Sequence, residues 1–343
     1  MKPQLTPVAL IILGLVLSAC TPRSVQEKLP AAMGNATPAA SPATSGTPAG
    51  DVFTLPEPFT NIAELDRVGD TLAVRTGTHI AVGTLAQLRS GDFSTVDVDV
   101  SCGDISTAPS HSEFILGCAD GVHAISTAGT PANSLIQATE QPITAAVKTT
   151  DGMIIAGSNE REEALLFTNG DGGEGKPKTI RVEDPTDAMI AVPTNNGPDV
   201  VYRINRHTTI IQTIDVGKKS SGAVLRVGLG VGMVAPAAQG MAITSDAVGK
   251  QFGVYMTLDA IRLHQTTPTT STPWAVAWDD KHQQVWVTTT DDNKIRRYQI
   301  GSGQGEELEA YNSIANAQSV LALPDGTIVA SSASGAGLQI LQP

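Results

Sequence analysis

A seven-bladed β-propeller, all-β with four antiparallel strands per blade, is the fold the sequence predicts, on three observations. From Asp51 to Pro343 one theme recurs: an apolar stretch with small residues, a polar turn, a Val/Ile-rich strand, then a further strand. Seven copies over that length give a period of about 42 residues, the period of a propeller blade. The composition agrees, since 33 Gly, 21 Pro and abundant Val and Thr favour strands and tight turns over helices.

The units follow in order. Their first strands are expected near Ile62, Asp104, Ile143, Asp187, Met241, Trp274 and Ser319. Pro142–Val147 leads to Asp151–Gly157, Pro185–Val192 leads to Asp199–Ile204, and Ser319–Ala330 leads to Leu338–Leu341. The steps are uneven, which predicts insertions in the fourth and fifth units. The last unit has only three strands, and Asp51-Val-Phe-Thr-Leu55 is an orphan strand at the start of residues 51–343. Pairing the two would close the ring and leave no free sheet edge at the seam.

The first fifty residues have a different character. Met1-Lys2 precedes an uncharged stretch whose apolar heart, Val8 to Leu17, has the length of a signal-peptide core and is too short to span a bilayer. Leu17-Ser18-Ala19-Cys20 resembles the bacterial lipobox, which implies removal of residues 1–19 and a diacylglyceryl group on Cys20. Several acyl chains, at about 0.8 kcal/mol per buried methylene, make a firm anchor. The resemblance implies a lipoprotein on the extracytoplasmic face of the cell membrane. In residues 21–50, 22 of 30 positions are Ala, Pro, Ser, Thr or Gly. With so little to bury, residues 20–50 are expected to be a lipidated Cys and a disordered tether.

With Cys20 lipidated, Cys102 and Cys118 remain, and export favours their oxidation to a disulfide. Ser101–Ala108 and Glu113–Cys118 read as two strands around Pro109-Ser110-His111. A hairpin centred on Ser110 sets position 102 opposite 118, within disulfide reach. The competing reading, two thiolates of a metal site, lacks a CxxC pair or clustered His.

Two units carry a family likeness. Pro273 to Tyr298, with its Pro-Trp-Ala-Val-Ala opening, its Asp279-Asp280 turn and Val285-Trp-Val-Thr288, resembles the YVTN repeat of seven-bladed propellers, with Trp286 in place of the usual tyrosine. Cys102…Gly117-Cys-Ala-Asp-Gly-Val122 is similar to propeller zinc chaperones of bacterial zinc-uptake systems. That family carries a His-bearing segment soon after the first Cys, where this chain has Gly103-Asp-Ile-Ser-Thr107.

The formal net charge of −12 and the absence of clustered Lys/Arg exclude a nucleic-acid binder. The six His are scattered without paired spacing, and His111, Glu113 and His123 are the one metal option they offer, for zinc or calcium. Asp279-Asp280 and Asp291-Asp292 flank one hairpin and read as Asx turns before a cation site. Asn169-Gly-Asp-Gly-Gly-Glu174 has calcium-loop composition but lacks the ligand spacing. Gly228, Gly230 and Gly232 are spaced GxGxG, outside any βαβ context, so no dinucleotide site is expected. Trp274 and Trp278 share one strand face by period two, with Trp286 on the next strand, and inter-blade packing is expected ahead of an aromatic ligand platform.

No catalytic set is assembled. The reading that follows is a non-catalytic binding or scaffolding module, without cofactor, that meets a protein or small-molecule ligand at the propeller mouth. Two alternatives stand beside it: a metal or solute carrier serving an importer, and a metal-dependent hydrolase like the propeller lactonases, for which Asp104, Asp187 and Asp246 near inner strands are the candidate ligands.

Overall fold

Alternation decides the architecture. Successive residues of a strand face opposite sides of its sheet, and in this chain both sides are apolar. In Thr71–Thr76, Leu72 and Val74 face one way and Ala73 the other, and all three are fully buried. A sheet with two apolar faces must be covered on both, and a ring of like sheets does so without any other layer.

The computed structural model describes residues 33–43, 46–108, 110–168 and 176–343. Among these, 28 strands form seven four-stranded antiparallel sheets. The inner strands are Glu64–Val68, Ile105–Thr107, Ala145–Lys148, Ala188–Val192, Val231–Pro236, Pro273–Asp279 and Ala317–Ala322, which open blades 1 to 7. Seven apolar clusters hold the ring, each shared between two neighbouring blades.

The predicted fold is observed, with corrections inside it. The fifth inner strand begins at Val231, ten residues before the expected Met241, which opens the second strand of that blade. With Val231 in place the inner strands start 40 to 44 residues apart, so the expected insertions in the fourth and fifth units vanish. Glycines disguised this strand. Gly228 has φ +51°, and a Cβ there would lie 1.6 Å from Asp246 Oδ2, while one on Gly232 would meet Ser245 and Trp274. A short helix, Leu85–Ser90, is also absent from the sequence reading. It starts at a capping box in which Gln87 N–H donates to Thr84 Oγ1 and Thr84 N–H to Gln87 Oε1, and it ends at Gly91 with φ +80°.

Cys102 and Cys118 form the expected disulfide, with Cα atoms 4.0 Å apart. The route differs from the expected one. The hairpin pairs Ile105 with Leu116 and Thr107 with Phe114, one residue out of the register that sets 102 opposite 118. Cys102 lies in the connector from blade 1, where its N–H donates to Asp99 O and Gly103 N–H donates to Gly117 O. The connector, and not the strand, brings the sulfurs together.

Asp51–Phe53 is the fourth strand of blade 7, antiparallel to Leu338–Leu341, so the orphan strand closes the ring. Arg89 of the short helix pairs with Asp51, and its guanidinium lies 4.6 Å from the centre of the Phe53 ring. The segment before it departs from the expected disorder. Residues 33–43 and 46–50 lie against the propeller: Gly34 N–H donates to Leu229 O, Asn35 N–H to Arg206 O, and Ala49 N–H to Asn312 O. Low apolar content did not leave this stretch free, because polar side chains and backbone of blades 4 to 7 bond its main chain. The expected signal peptide, Cys20, residues 20–32 and the Asn169–Glu174 stretch lie outside the described residues.

Deleting residues 51–53 uncovers Leu338 and Ile340 and is expected to lower the unfolding midpoint by about 5–10 °C in calorimetry. An unchanged midpoint would show that the seam holds without its closing strand.

Candidate functional site

The inner strands surround a central cavity of about 500 Å³. Most of its wall is small or apolar, from Ala145, Ala146, Ala188, Ile190, Val234, Ala275 and Val320. Blade 1 is the exception. Its strand Glu64-Leu-Asp-Arg-Val68 buries Leu65 in the cluster shared with blade 7, while Glu64 and Asp66 line the cavity.

Glu64 is half-buried and tied down. Its Oε1 accepts the Ile105 N–H at 2.6 Å, and Arg75 lies 3.6 Å from Oε2. Arg75 also donates to Cys102 O at 2.7 Å and to Gly103 O at 2.5 Å, so one guanidinium holds the disulfide-bearing connector against blade 1. Burial, then the negative charges of Asp104 and Asp66, raise the Glu64 carboxyl well above the ordinary carboxylate range. Burial followed by Asp104 pushes Asp66 up to about 8. Two carboxyls on one strand face therefore hold protons at a pH where exposed ones have lost them.

Arg206 crosses the mouth of this cavity. It leaves the turn after Val200–Asn205 in blade 4, donates from Nε to Gly232 O of blade 5 at 2.9 Å, and comes within 3.5 Å of Asp104 at the start of blade 2. Asp104 is half exposed, so that ion pair contributes less than about 1 kcal/mol. Arg203, on the same strand and fully buried, donates to the carbonyls of Glu183, Asp184 and Pro185 and to Thr186, which fixes the connector that carries Asp187. Burial lowers its pKa to about 10.

Of the three aspartates considered as metal ligands, two meet Arg206: Asp104 its guanidinium, Asp187 its backbone N–H at 2.5 Å. Asp246 is elsewhere and fully engaged. It accepts from the N–H groups of Leu229, Gly230 and Gly249 and from Gln251 Nε2, and it is 1% exposed. The 228–230 turn folds around this carboxylate, which leaves no room for a Cβ on Gly228, while Gly230 faces Val248.

His111, Glu113 and His123 do not converge. Glu113 pairs with Lys148 at 2.6 Å, and His123 sits opposite Leu116, three residues along from Glu113 and so on the other face of the sheet. Cys118, Asp120 and His123 do cluster, but the Cys118 sulfur is in the disulfide and has no thiolate to give. His123 instead bonds Asp120 at 2.8 Å and Asn133 at 3.0 Å. Asp279 accepts the N–H groups of Lys281 and His282, and Asp291 accepts Thr272 N–H and both the Ser271 and Thr272 hydroxyls. Asp279 thus has the expected turn role, whereas Asp291 ties the turn after the Gln284–Thr289 strand to the connector before Pro273–Asp279.

The tryptophans divide. Trp286 is fully buried between blades 6 and 7, as expected. Trp274 and Trp278 do not act as one face, because a bulge between Pro273 and Val276 breaks the alternation. Trp274 packs toward blade 7 and Trp278 toward blade 5, yet both remain half-buried and line the cavity. Glu64, Asp66 and Arg206 were missed from sequence. The available signal was Glu-x-Asp-Arg inside an inner strand, where the other units place Ala, Val and Ile.

No protein-family model matches the sequence, and no curated protein does. Solved structures match over most of the chain. A chain of Kuenenia stuttgartiensis hydrazine synthase aligns at 11% identity and a TM-score of 0.65, covering 87% of this chain and 99% of its own. A streptogramin B lyase aligns at 12% and 0.65, covering 85% and 96%. The WD40 β-propeller domain of Doa1 aligns at 12% and 0.57, covering 88% and 96%. At such identities the likeness shows the fold alone. The chain is a seven-bladed β-propeller.

Asp66 gives the cavity a pH signature. Its folded pKa exceeds the unfolded value, so its contribution to stability is intact below about pH 4 and is lost as pH rises toward 8. Asp66→Asn is expected to raise the unfolding midpoint by about 3–6 °C at pH 8.5 and to change it little at pH 4. Equal effects at the two pH values would refute the assignment.

Proposed function

We propose that the protein is a lipid-anchored lipoprotein of the extracytoplasmic membrane face whose propeller is a non-catalytic binding module with the central cavity as its ligand seat. The observation that carries this reading is the cavity itself. It has the volume of a small-molecule pocket and a wall of mixed apolar and polar surface, with the charged groups Glu64, Asp66 and Arg206 on it. The lipobox-like Leu17–Cys20 supports the anchor, and the Cys102–Cys118 disulfide supports an oxidising compartment. The likeness of Pro273–Tyr298 to the YVTN repeat supports a place among propellers of that kind.

The geometry gives less to the two alternatives. Asp246 is saturated by backbone donors, which takes it from the ligand set of a lactonase-like hydrolase. The zinc-carrier reading loses Cys118 to the disulfide, and His111, Glu113 and His123 stand apart.

Two experiments test the parts separately. Cys20→Ala is expected to abolish incorporation of a clickable palmitate and to move the protein from the membrane to the soluble fraction, whereas a labelled or membrane-bound variant contradicts the anchor. The chain has three Trp, two on the cavity wall and one sealed. A molecule found by native mass spectrometry on protein from its own membrane is expected to alter Trp emission, and Trp274→Phe with Trp278→Phe should remove the change. A signal that survives both substitutions would place the ligand outside the cavity.

A further inference from the structure

The segment that was expected to be a disordered tether lies in a built groove. Residues 33–43 and 46–49 run across the loops of blades 4 to 7, on the face that holds the inter-blade connectors. The groove reads this segment mainly through its main chain. Asn293 Nδ2 donates to Pro42 O at 3.0 Å, Asn312 Nδ2 to Thr47 O at 3.2 Å, and Gln339 Nε2 to Ala49 O at 2.8 Å. Asn316 bonds Ser41 from both its backbone N–H and its side-chain oxygen, at 2.7 and 3.4 Å. Four amide side chains from two blades and the connector between them thus converge on Ser41, Pro42, Thr47 and Ala49.

The occupant offers little side chain in return. Among the described residues 34–49 it is Gly, Asn, Ala, Thr, Pro and Ser throughout, and Ala36 is its buried apolar contact. Backbone recognition of this kind is tolerant of sequence, because every residue carries the same carbonyl; the fixed positions are Gly34, which has no room for a Cβ, and Ser41, whose hydroxyl is bonded. What the groove selects is side chains small enough to lie flat on it, which alanine, serine, threonine and proline supply. We propose that this groove is a docking site for a Gly/Ala/Pro/Ser/Thr-rich segment of a partner polypeptide, held in the resting protein by the chain's own residues 33–43 and 46–49. The inference is independent of both the lipid anchor and the cavity as a ligand seat. A resident segment on the same chain competes at an effective concentration on the order of millimolar, so a partner gains access only when the segment lifts.

The test needs the full chain with its segment released and the groove intact. Gly34 has φ +81°, and a Cβ there would lie 1.9 Å from His207 O, so Gly34→Val cannot seat. Ser41→Val removes the hydroxyl that donates to Thr290 O and accepts from Asn316. In the double variant the amides of Asn35 and Ala49 should exchange hydrogen faster than in the wild type. A fluorescein-labelled peptide of sequence 33–49 is then titrated by anisotropy. It is expected to bind the double variant at least about tenfold more tightly than the wild-type chain. Asn293→Ala with Asn312→Ala, added to that variant, should weaken binding about tenfold. A peptide scrambled at every position except those of Gly34 and Ser41 should bind within about threefold of the original, as main-chain reading requires elsewhere. The full chain lacking residues 33–43 repeats the titration with half of the groove empty whatever the substitutions do. Absence of binding to this deletion at millimolar peptide, or loss of binding on scrambling, overturns the proposal.

Discussion

Every sheet in this protein is apolar on both faces, and that single constraint organises the rest. A fully buried aliphatic side chain is worth about 1.5–3 kcal/mol, and each inter-blade cluster gathers eight or more buried residues. A row of such sheets would leave its two end faces in water. A ring leaves none. The cluster joining blade 7 to blade 1 shows the consequence, since Leu338 and Ile340 of the last blade pack with Leu65, Leu72 and Val74 of the first.

Closing the ring leaves a cavity at its centre, because inner strands with small residues cannot fill the axis. There the chain departs from its apolar rule, in blade 1. Glu64 and Asp66 sit where blades 3 and 4 place Ala and Ile, and their raised pKa values are the electrostatic cost of that position. Arg206 joins this interior to the outer surface. Its guanidinium spans the mouth to Gly232 and Asp104, while its carbonyl accepts the N–H of Asn35 from the docked N-terminal segment. Seating of that segment therefore bears directly on the loop that partly covers the cavity.

The fold was legible because blade periodicity repeats seven times, so an error in one unit does not spoil the pattern. Misplacing the fifth inner strand at Met241 illustrates this: Val231–Pro236 is interrupted by Gly232 and ends in Pro236, and its reason for glycine, close approach of Trp274, is a tertiary contact. The disulfide was legible through cysteine parity, whereas its geometry was not, because a connector turn set the cysteines together. The docked segment was hidden for a related reason. Its own residues carry almost no signal, and the Asn and Gln side chains that hold it are distant in sequence. Of the site, the tryptophans were legible as aromatic positions, while Asp66 and Arg206 acquire meaning only when blades 1, 2, 4 and 5 are brought around one axis.

The claim beneath all of this is that seven two-faced sheets close on themselves through the N-terminal strand. Hydrogen exchange at single-amide resolution tests it most directly, on the antiparallel pairs Asp51–Ile340 and Phe53–Leu338. Closure requires the hydrogen-bonded amides of both strands to be protected together and to open in one cooperative event. Free exchange at residues 51–53 in the intact chain, beside a protected Leu338–Leu341, would show an open ring and contradict the account.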